Sequence, residues 1–301
     1  MIALEIYVVQ SGDTVYSIAQ KFSVSVERLV SDNALEPNRE LVLGQALLVL
    51  RPKVIHTFRQ GETLFGIAES YGTSLLALYR NNPTLIGHEY INTGTQIVIS
   101  YEDEPTVKKR TSGFVYSYIN RNVLEHALPY LTYLIIFGYG FNEDGSVITL
   151  DDGDIIYLAH SYSTAVLLSL TSINVDGTFG SGKIERLLTD IDFQNTVIAN
   201  FIEVIEQKGA QGLDIDIEYI PPQFRTQFAE FAENCRVQLH SRGLILHIDL
   251  APKTSPDQQG LLYEAHDYGF LGNAADYVFL MTYEWGYTYA HSRYCKSINN
   301  L

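Results

Sequence analysis

Three acidic residues stand at alternate positions in Gly212-Leu213-Asp214-Ile215-Asp216-Ile217-Glu218-Tyr219. In an extended strand, side chains two apart share a face. Asp214, Asp216 and Glu218 therefore point one way, and Leu213, Ile215, Ile217 and Tyr219 point the other, toward covering helices. Three carboxylates side by side in a protein interior are costly to keep ionised. Like charges a few ångströms apart force at least one to hold a proton, and the outermost can then act as a general acid. A metal site built from the three acids is the rival chemistry. No His adjoins them in the sequence, and no spacing among the eight His and two Cys resembles a metal site, so no metal and no cofactor is expected.

The elements that must position this row follow from hydrophobic periodicity. Apolar, β-branched and aromatic runs at 114–119, 131–141, 165–173, 212–220, 244–252 and 277–285 predict strands. Helical patterns separate most of them, clearest at 196–208, where Gly209 is a C-terminal stop, and at 224–239. Strand–helix alternation implies an α/β fold with a parallel sheet, either doubly wound or closed as a (β/α)8 TIM barrel. No Gly-rich dinucleotide fingerprint follows any strand, which weakens the doubly wound option.

Residues 1–100 are organised by a repeat. The segment from Tyr7 through Gly12-Asp13-Thr14-Val15-Tyr16 to Ile18-Ala19 matches His56 through Gly61-Glu62-Thr63-Leu64-Phe65 to Ile67-Ala68, with Phe22/Tyr71, Leu29/Leu78 and Asn33/Asn82 in the same register. Each copy reads strand, helix, helix, strand, with Asp13 or Glu62 placed to help the following helix N-terminus. Boundaries are expected at 6–50 and 55–100, followed by a charged, Pro-containing linker at 101–112 and a second domain at 113–301.

Charge narrows the partners. The formal net charge is −15 over 301 residues, and residues 1–100 hold only 7 Lys/Arg and 9 Asp/Glu, so the acidity lies mostly in the second region. An acidic body repels phosphate backbones, which argues against nucleic acid. The 21 Tyr suit the apolar faces of sugars, although most should pack in cores. Cys235 falls in a helical pattern and Cys295 in the tail, so a disulfide framework is not expected and a reducing compartment fits. Met1-Ile2-Ala3-Leu4-Glu5 has no basic region and no apolar stretch of a signal peptide, and no segment is long and apolar enough for membrane insertion.

The duplicated Gly-Asp/Glu-Thr turn, the Ile-Ala pair and the later Asn closely resemble LysM domains, small βααβ modules whose relatives bind N-acetylglucosamine polymers such as peptidoglycan or chitin. That resemblance implies a shallow glycan groove between the first turn (Gly12, Asp13, Thr14; Gly61, Glu62, Thr63) and the loop from Asn33 or Asn82.

The acidic row, taken with Met281-Thr282-Tyr283-Glu284-Trp285, resembles the family 18 glycoside hydrolases, most of all the spore-germination and cortex-lytic N-acetylglucosaminidases that place LysM repeats before the barrel. Gln211 stands where the family's first acid would be. The resemblance implies hydrolysis of β-1,4 bonds at N-acetylglucosamine by a retaining, substrate-assisted mechanism. Glu218 would be the general acid, Asp216 would hold the acetamido N–H, Asp214 would support Asp216, and Tyr283 would donate to the acetamido oxygen. Glu284 and Trp285 would contact sugar, with Tyr116 and Tyr139 lining the cleft. It further implies a place in the spore coat or cortex after synthesis without a signal peptide. A chitinase, or a glycan-binding spore-surface protein without turnover, are the alternatives.

Six strands are counted where a barrel has eight, and residues 113–301 fall short of the ~250 residues typical of that fold. The expectation is a barrel truncated after strand six, with apolar edges at 114–119 and 277–285 and a half-walled cleft that turns over poorly.

Overall fold

The computed structural model describes residues 4–36, 40–88, 90–102, 107–172 and 181–283. The chain forms two compact units, one of Met1–Arg110 with Asn120–Tyr130, the other of Thr111–Ile119 with the chain from Leu131 onward.

The first unit holds the repeats. Repeat one is β1 (Leu4–Val8), α1 (Val15–Phe22), α2 (Val26–Asp32) and β2 (Ala46–Leu50), and repeat two is β3 (Pro52–Thr57), α3 (Leu64–Ser70), α4 (Leu75–Asn81) and β4 (Gln96–Tyr101). β1 pairs antiparallel with β2, and β3 with β4. Each copy has its own small core, Ile18, Ala19, Leu29, Leu47 and Val49 in the first, Ile67, Ala68, Leu78, Ile97 and Ile99 at matching positions of the second. Phe22 is buried in its core, whereas Tyr71 follows the end of α3 and is exposed, its hydroxyl 3.2 Å from His56 Nδ1. Arg28 of α2 ties the copies together, donating to the Asn81 carbonyl at 2.5 Å and to the Tyr101 hydroxyl. α5 (Arg121–Ala127) belongs to this unit although it follows the first strand of the other; just beyond it the Pro129 carbonyl accepts from Arg80 Nε at 2.5 Å.

The second unit is a curled parallel sheet. Its strands are β5 (Ser112–Val115), β6 (Tyr133–Phe141), β8 (Ala165–Thr171), β9 (Gly212–Asp216), β10 (Ile245–Leu250) and β11 (Tyr277–Leu280), with β7 (Val147–Ile148) antiparallel to the end of β6. The order β5-β6-β8-β9-β10-β11 puts each strand beside its successor in the sequence. A doubly wound sheet reverses direction partway; this one does not, so the winding is that of a barrel. The helices are α6 (Gly153–Ser161), α7 (Ser181–Thr189), α8 (Ile191–Lys208), α9 (Arg225–His240) and α10 (Tyr268–Ala274). α8 starts on an Asp190 cap and stops at left-handed Gly209, and α9 buries Phe228, Phe231, Ala232, Cys235 and Leu239, the 3.6-residue stripe of a helix covering a sheet. No helix among the described residues is long and apolar enough to cross a membrane.

Strands are shorter than their apolar runs. β9 ends at Asp216 and β11 at Leu280, so Glu218 and Tyr283 stand on segments leaving the sheet. Inside the curl, Tyr133, Ile135 and Leu167 pack with Phe114, Ala165, Ile245 and Tyr277. The two edge strands meet across that interior, with Phe114 and Phe279 ring centroids 5.1 Å apart, and Tyr133 of β6 packs against Tyr277 of β11 with centroids 5.2 Å apart. Of the aromatic side chains in the two edge runs, Phe114 and Phe279 are half-buried against each other, whereas Tyr116, Tyr118 and Tyr283 are exposed.

Candidate active site

Register builds the site in layers. Gly212 of β9 pairs with Leu167 and Ile245, and a side chain there would meet the Ile245 carbonyl at 2.2 Å, so only glycine lets the strands approach. Two residues higher, Asp214 lies between Ser169 and His247; one further step reaches Asp216, beside Thr171. Leu213, Ile215 and Ile217 are buried on the opposite face, as alternation requires.

Asp214 is fully buried and its Oδ1 lies 2.6 Å from His247 Nδ1. Asp249, one step above His247 on β10, is also buried, its Oδ1 3.5 Å from that nitrogen. Asp216 is pushed up to about 7 by burial, then by Asp214 and Glu218. Asp249 is pushed up to about 11 by burial first, then by Asp214, Asp216 and Glu218. The column thus holds four carboxyls, and burial and mutual repulsion make it retain protons at neutral pH.

Beyond β9 the backbone is pinned rather than free. His266 is buried and neutral, held down to about 4 by burial; its Nδ1 accepts from Ala251 N at 2.9 Å, so its Nε2–H donates to the Ile217 carbonyl at 3.3 Å. Tyr219 has a left-handed φ of 57°, an unusual conformation for a bulky residue, found most often where function imposes it. Between the two, Glu218 reaches a cavity of about 250 Å³ lined by Asp216, Glu218, Asp249, Tyr116, Phe137 and Tyr283, among others. The arrangement can present a proton donor and a buried, partly protonated carboxyl to one small polar substrate group.

The structure brings Asp216, Glu218, Tyr116 and Tyr283 to this cavity and places Asp214 beneath it. Tyr139 is not there. Alternation along β6 would put Phe137 and Tyr139 on one face, but the β6–β8 register slips between Ile136 and Tyr139, where Gly138 has φ 108°. Phe137 lines the cavity, while Tyr139 is fully buried and donates its hydroxyl to Asp152. Glu284, Trp285 and Cys295 lie outside the described residues. His247 and Asp249 escaped the sequence reading, although two polar residues at alternate positions of an apolar strand were a visible signal. They also answer the expectation that no His joins the acids: donor atoms of Asp214, His247 and Asp249 lie within 4.8 Å of one another.

In the repeats, Gly12 and Gly61 turn the chain with φ near 87° and 86°. Thr14 and Thr63, not the acids, cap α1 and α3. Asp13 instead accepts from Gln10 N and the Tyr7 hydroxyl, both at 2.7 Å, and Glu62 accepts from Arg59 N at 2.8 Å and pairs with His56 at 2.8 Å. Asn82 is buried, donating to the Leu78 and Val98 carbonyls and accepting from Val98 N; Asn33 does the same with Leu29 and Leu48. These side chains tie the first turn and the loop after the second helix to the rest of each repeat. Tyr16 and Phe65, in register at the starts of α1 and α3, are 68% and 66% exposed, a pairing the repeat contained without marking.

Comparison with known proteins adds two families. Residues 98–294 match the model of the glycosyl hydrolases family 18, and residues 7–49 and 56–100 each match that of the LysM domain. The chain is 32% identical to the cortical fragment-lytic enzyme of Bacillus anthracis over 94% of this chain and 66% of that protein, and 30% identical to that of Bacillus subtilis (strain 168) over 95% and 67%. It is similar to the crystal structure of the Bacillus cereus spore cortex-lytic enzyme SleL, with TM-score 0.71 and 31% identity over 95% of this chain and 66% of that one. A chitinase from Chromobacterium violaceum, at 19% identity and TM-score 0.54, shares the fold. The chain spans about two thirds of the length of these curated relatives.

Proposed function

The chain belongs to the glycosyl hydrolases of family 18 and carries two LysM domains ahead of that region, and from this premise we propose that it binds peptidoglycan of the spore cortex and hydrolyses β-1,4 bonds at N-acetylglucosamine. The observation that carries the reading is the column Asp214–Asp216–Glu218 opening into one cavity with Tyr283. Glu218 protonates the glycosidic oxygen as the bond to the anomeric carbon breaks. The substrate's own acetamido oxygen attacks that carbon from the opposite face, so the enzyme needs no nucleophile of its own. Asp216, buried and poised to change charge, accepts from the acetamido N–H and balances the positive ring that forms, while Tyr283 donates to the acetamido oxygen. Glu218, now a carboxylate, takes a proton from the water that opens the ring, and two inversions leave the β-anomer.

The LysM domains support the same substrate class. Two weak sites on one chain hold a polymer better than either alone, keeping the catalytic unit at an insoluble surface. The relatives' names, cortical fragment-lytic and cortex-lytic, favour peptidoglycan over chitin and the spore as the place of action. Incubation of the full chain with cortex peptidoglycan and with chitin tests this: new reducing ends from cortex at a higher rate than from chitin are expected. Binding to both without release from either would leave a glycan-binding protein in place of a hydrolase.

A further inference from the structure

The proposed mechanism uses Asp214, Asp216, Glu218 and Tyr283, and leaves unexplained a buried pair facing them from the next strand. His247 and Asp249 are 2% and 3% exposed, and Asp249 lines the same cavity as Asp216 and Glu218. Asp214 Oδ2, Asp216 Oδ1 and Asp249 Oδ1 are buried and without a hydrogen-bond partner. Such a cluster is held by a cation or by a proton. Two ligands about 2.1 Å from one ion stand about 3.0–3.4 Å apart at octahedral or tetrahedral angles. His247 Nδ1 and Asp214 Oδ1 are 2.6 Å apart, too close for two ligands of one ion and at the short end for a hydrogen bond with a charged partner. The charged groups acting on Asp249 are Asp214, Asp216 and Glu218, all acidic, with His247 beneath it at 3.5 Å.

Building on the substrate-assisted reading above, we propose that Asp249 is a positioning residue that keeps a proton beside Asp214, so that the Asp214–Asp249 pair carries one negative charge anchored by His247. That arrangement fixes the charge beneath Asp216 and leaves Asp216 as the carboxyl free to respond to the substrate's acetamido group. Without the Asp249 proton, Asp214 and Asp249 would both be ionised next to Asp216, and their repulsion would hold Asp216 neutral where its charge is needed. Burial and the three neighbouring acids act on Asp249 in the direction this requires.

Carboxyl NMR of the full chain labelled at aspartate Cγ tests the protonation directly, with Asp249→Asn identifying the resonance by its loss. The Asp249 signal should stay at its protonated position from pH 4 to pH 8, and this readout needs no turnover, so it stands or falls apart from the hydrolase reading. Kinetics on cortex fragments add a second readout. Asp249→Ala should lower kcat about tenfold with KM little changed, and Asp249→Asn, whose amide still donates to Asp214, should recover most of that loss. If the Ala variant does not fold, Asp249→Leu of similar bulk takes its place. An Asp249 signal that titrates below pH 5, an Asn variant as damaged as the Ala variant, or one equivalent of divalent metal lost from the protein with Asp249→Ala would each overturn the proposal.

Discussion

Phe114 on the first parallel strand and Phe279 on the last stand with ring centroids 5.1 Å apart, planes tilted by 48°. The two ends of the curled sheet are thus in contact through their inward side chains. Aromatic pairs at such separations contribute about 0.5–1.5 kcal/mol beyond their buried area. A double-mutant cycle over Phe114→Ala and Phe279→Ala, read by urea unfolding, should give a coupling energy in that range. Additive losses would mean the rings share the interior without supporting each other.

Asp216 links stability to activity with a definite sign. Its folded value, about 7, lies above the ordinary 3.8, so between those values the folded state binds the extra proton. Stability from this group therefore falls as pH rises from about 4 to about 7 and stays low above that. Asp216→Asn removes the charge and should raise stability at pH 8 by an amount on the order of 1–4 kcal/mol, given about 1.4 kcal/mol per unit. At pH 4 the gain should vanish, and turnover should be strongly reduced throughout. An equal change in melting temperature at both pH values would contradict the linkage.

Tyr16 and Phe65 occupy equivalent, exposed positions beside the two glycine turns. If they stack on sugar rings, Tyr16→Ala or Phe65→Ala should each weaken retention on insoluble peptidoglycan. The double variant should lose far more than either, because avidity needs both sites. Retention unchanged in the double variant would move the glycan contacts elsewhere on the repeats.

Asn82 has a structural task that can be measured apart from binding. Asn82→Ala leaves the Val98 N–H and two carbonyls without their partner in a buried setting and should cost about 1–3 kcal/mol. Asn33→Ala, at a less buried site, should cost less. Chemical denaturation followed by tyrosine fluorescence in the repeats would rank the two.

What could be read from the sequence was what repeats or alternates locally. The acidic row needed only the two-residue period of one strand, and the repeats declared themselves through their matching Gly, Thr, Ile-Ala and Asn. The alternation of His247 and Asp249 was visible, but their meeting with Asp214 depends on how β10 registers against β9, which no local pattern encodes. Tyr139 was hidden by a bulge at Gly138 that breaks the alternation. Tyr71 follows the end of a helix one residue shorter than α1, so the position equivalent to buried Phe22 turns outward.

The central claim is that Glu218 delivers the proton in a substrate-assisted cleavage. Proton NMR of the products released from cortex peptidoglycan, by the full chain and by its Glu218→Gln variant, tests it most directly. The account predicts the β-anomer as the first product, release lowered at least about a hundredfold in the variant, and undiminished binding of that variant to the glycan. The α-anomer as first product, or release by Glu218→Gln at the rate of the parent chain, would contradict it.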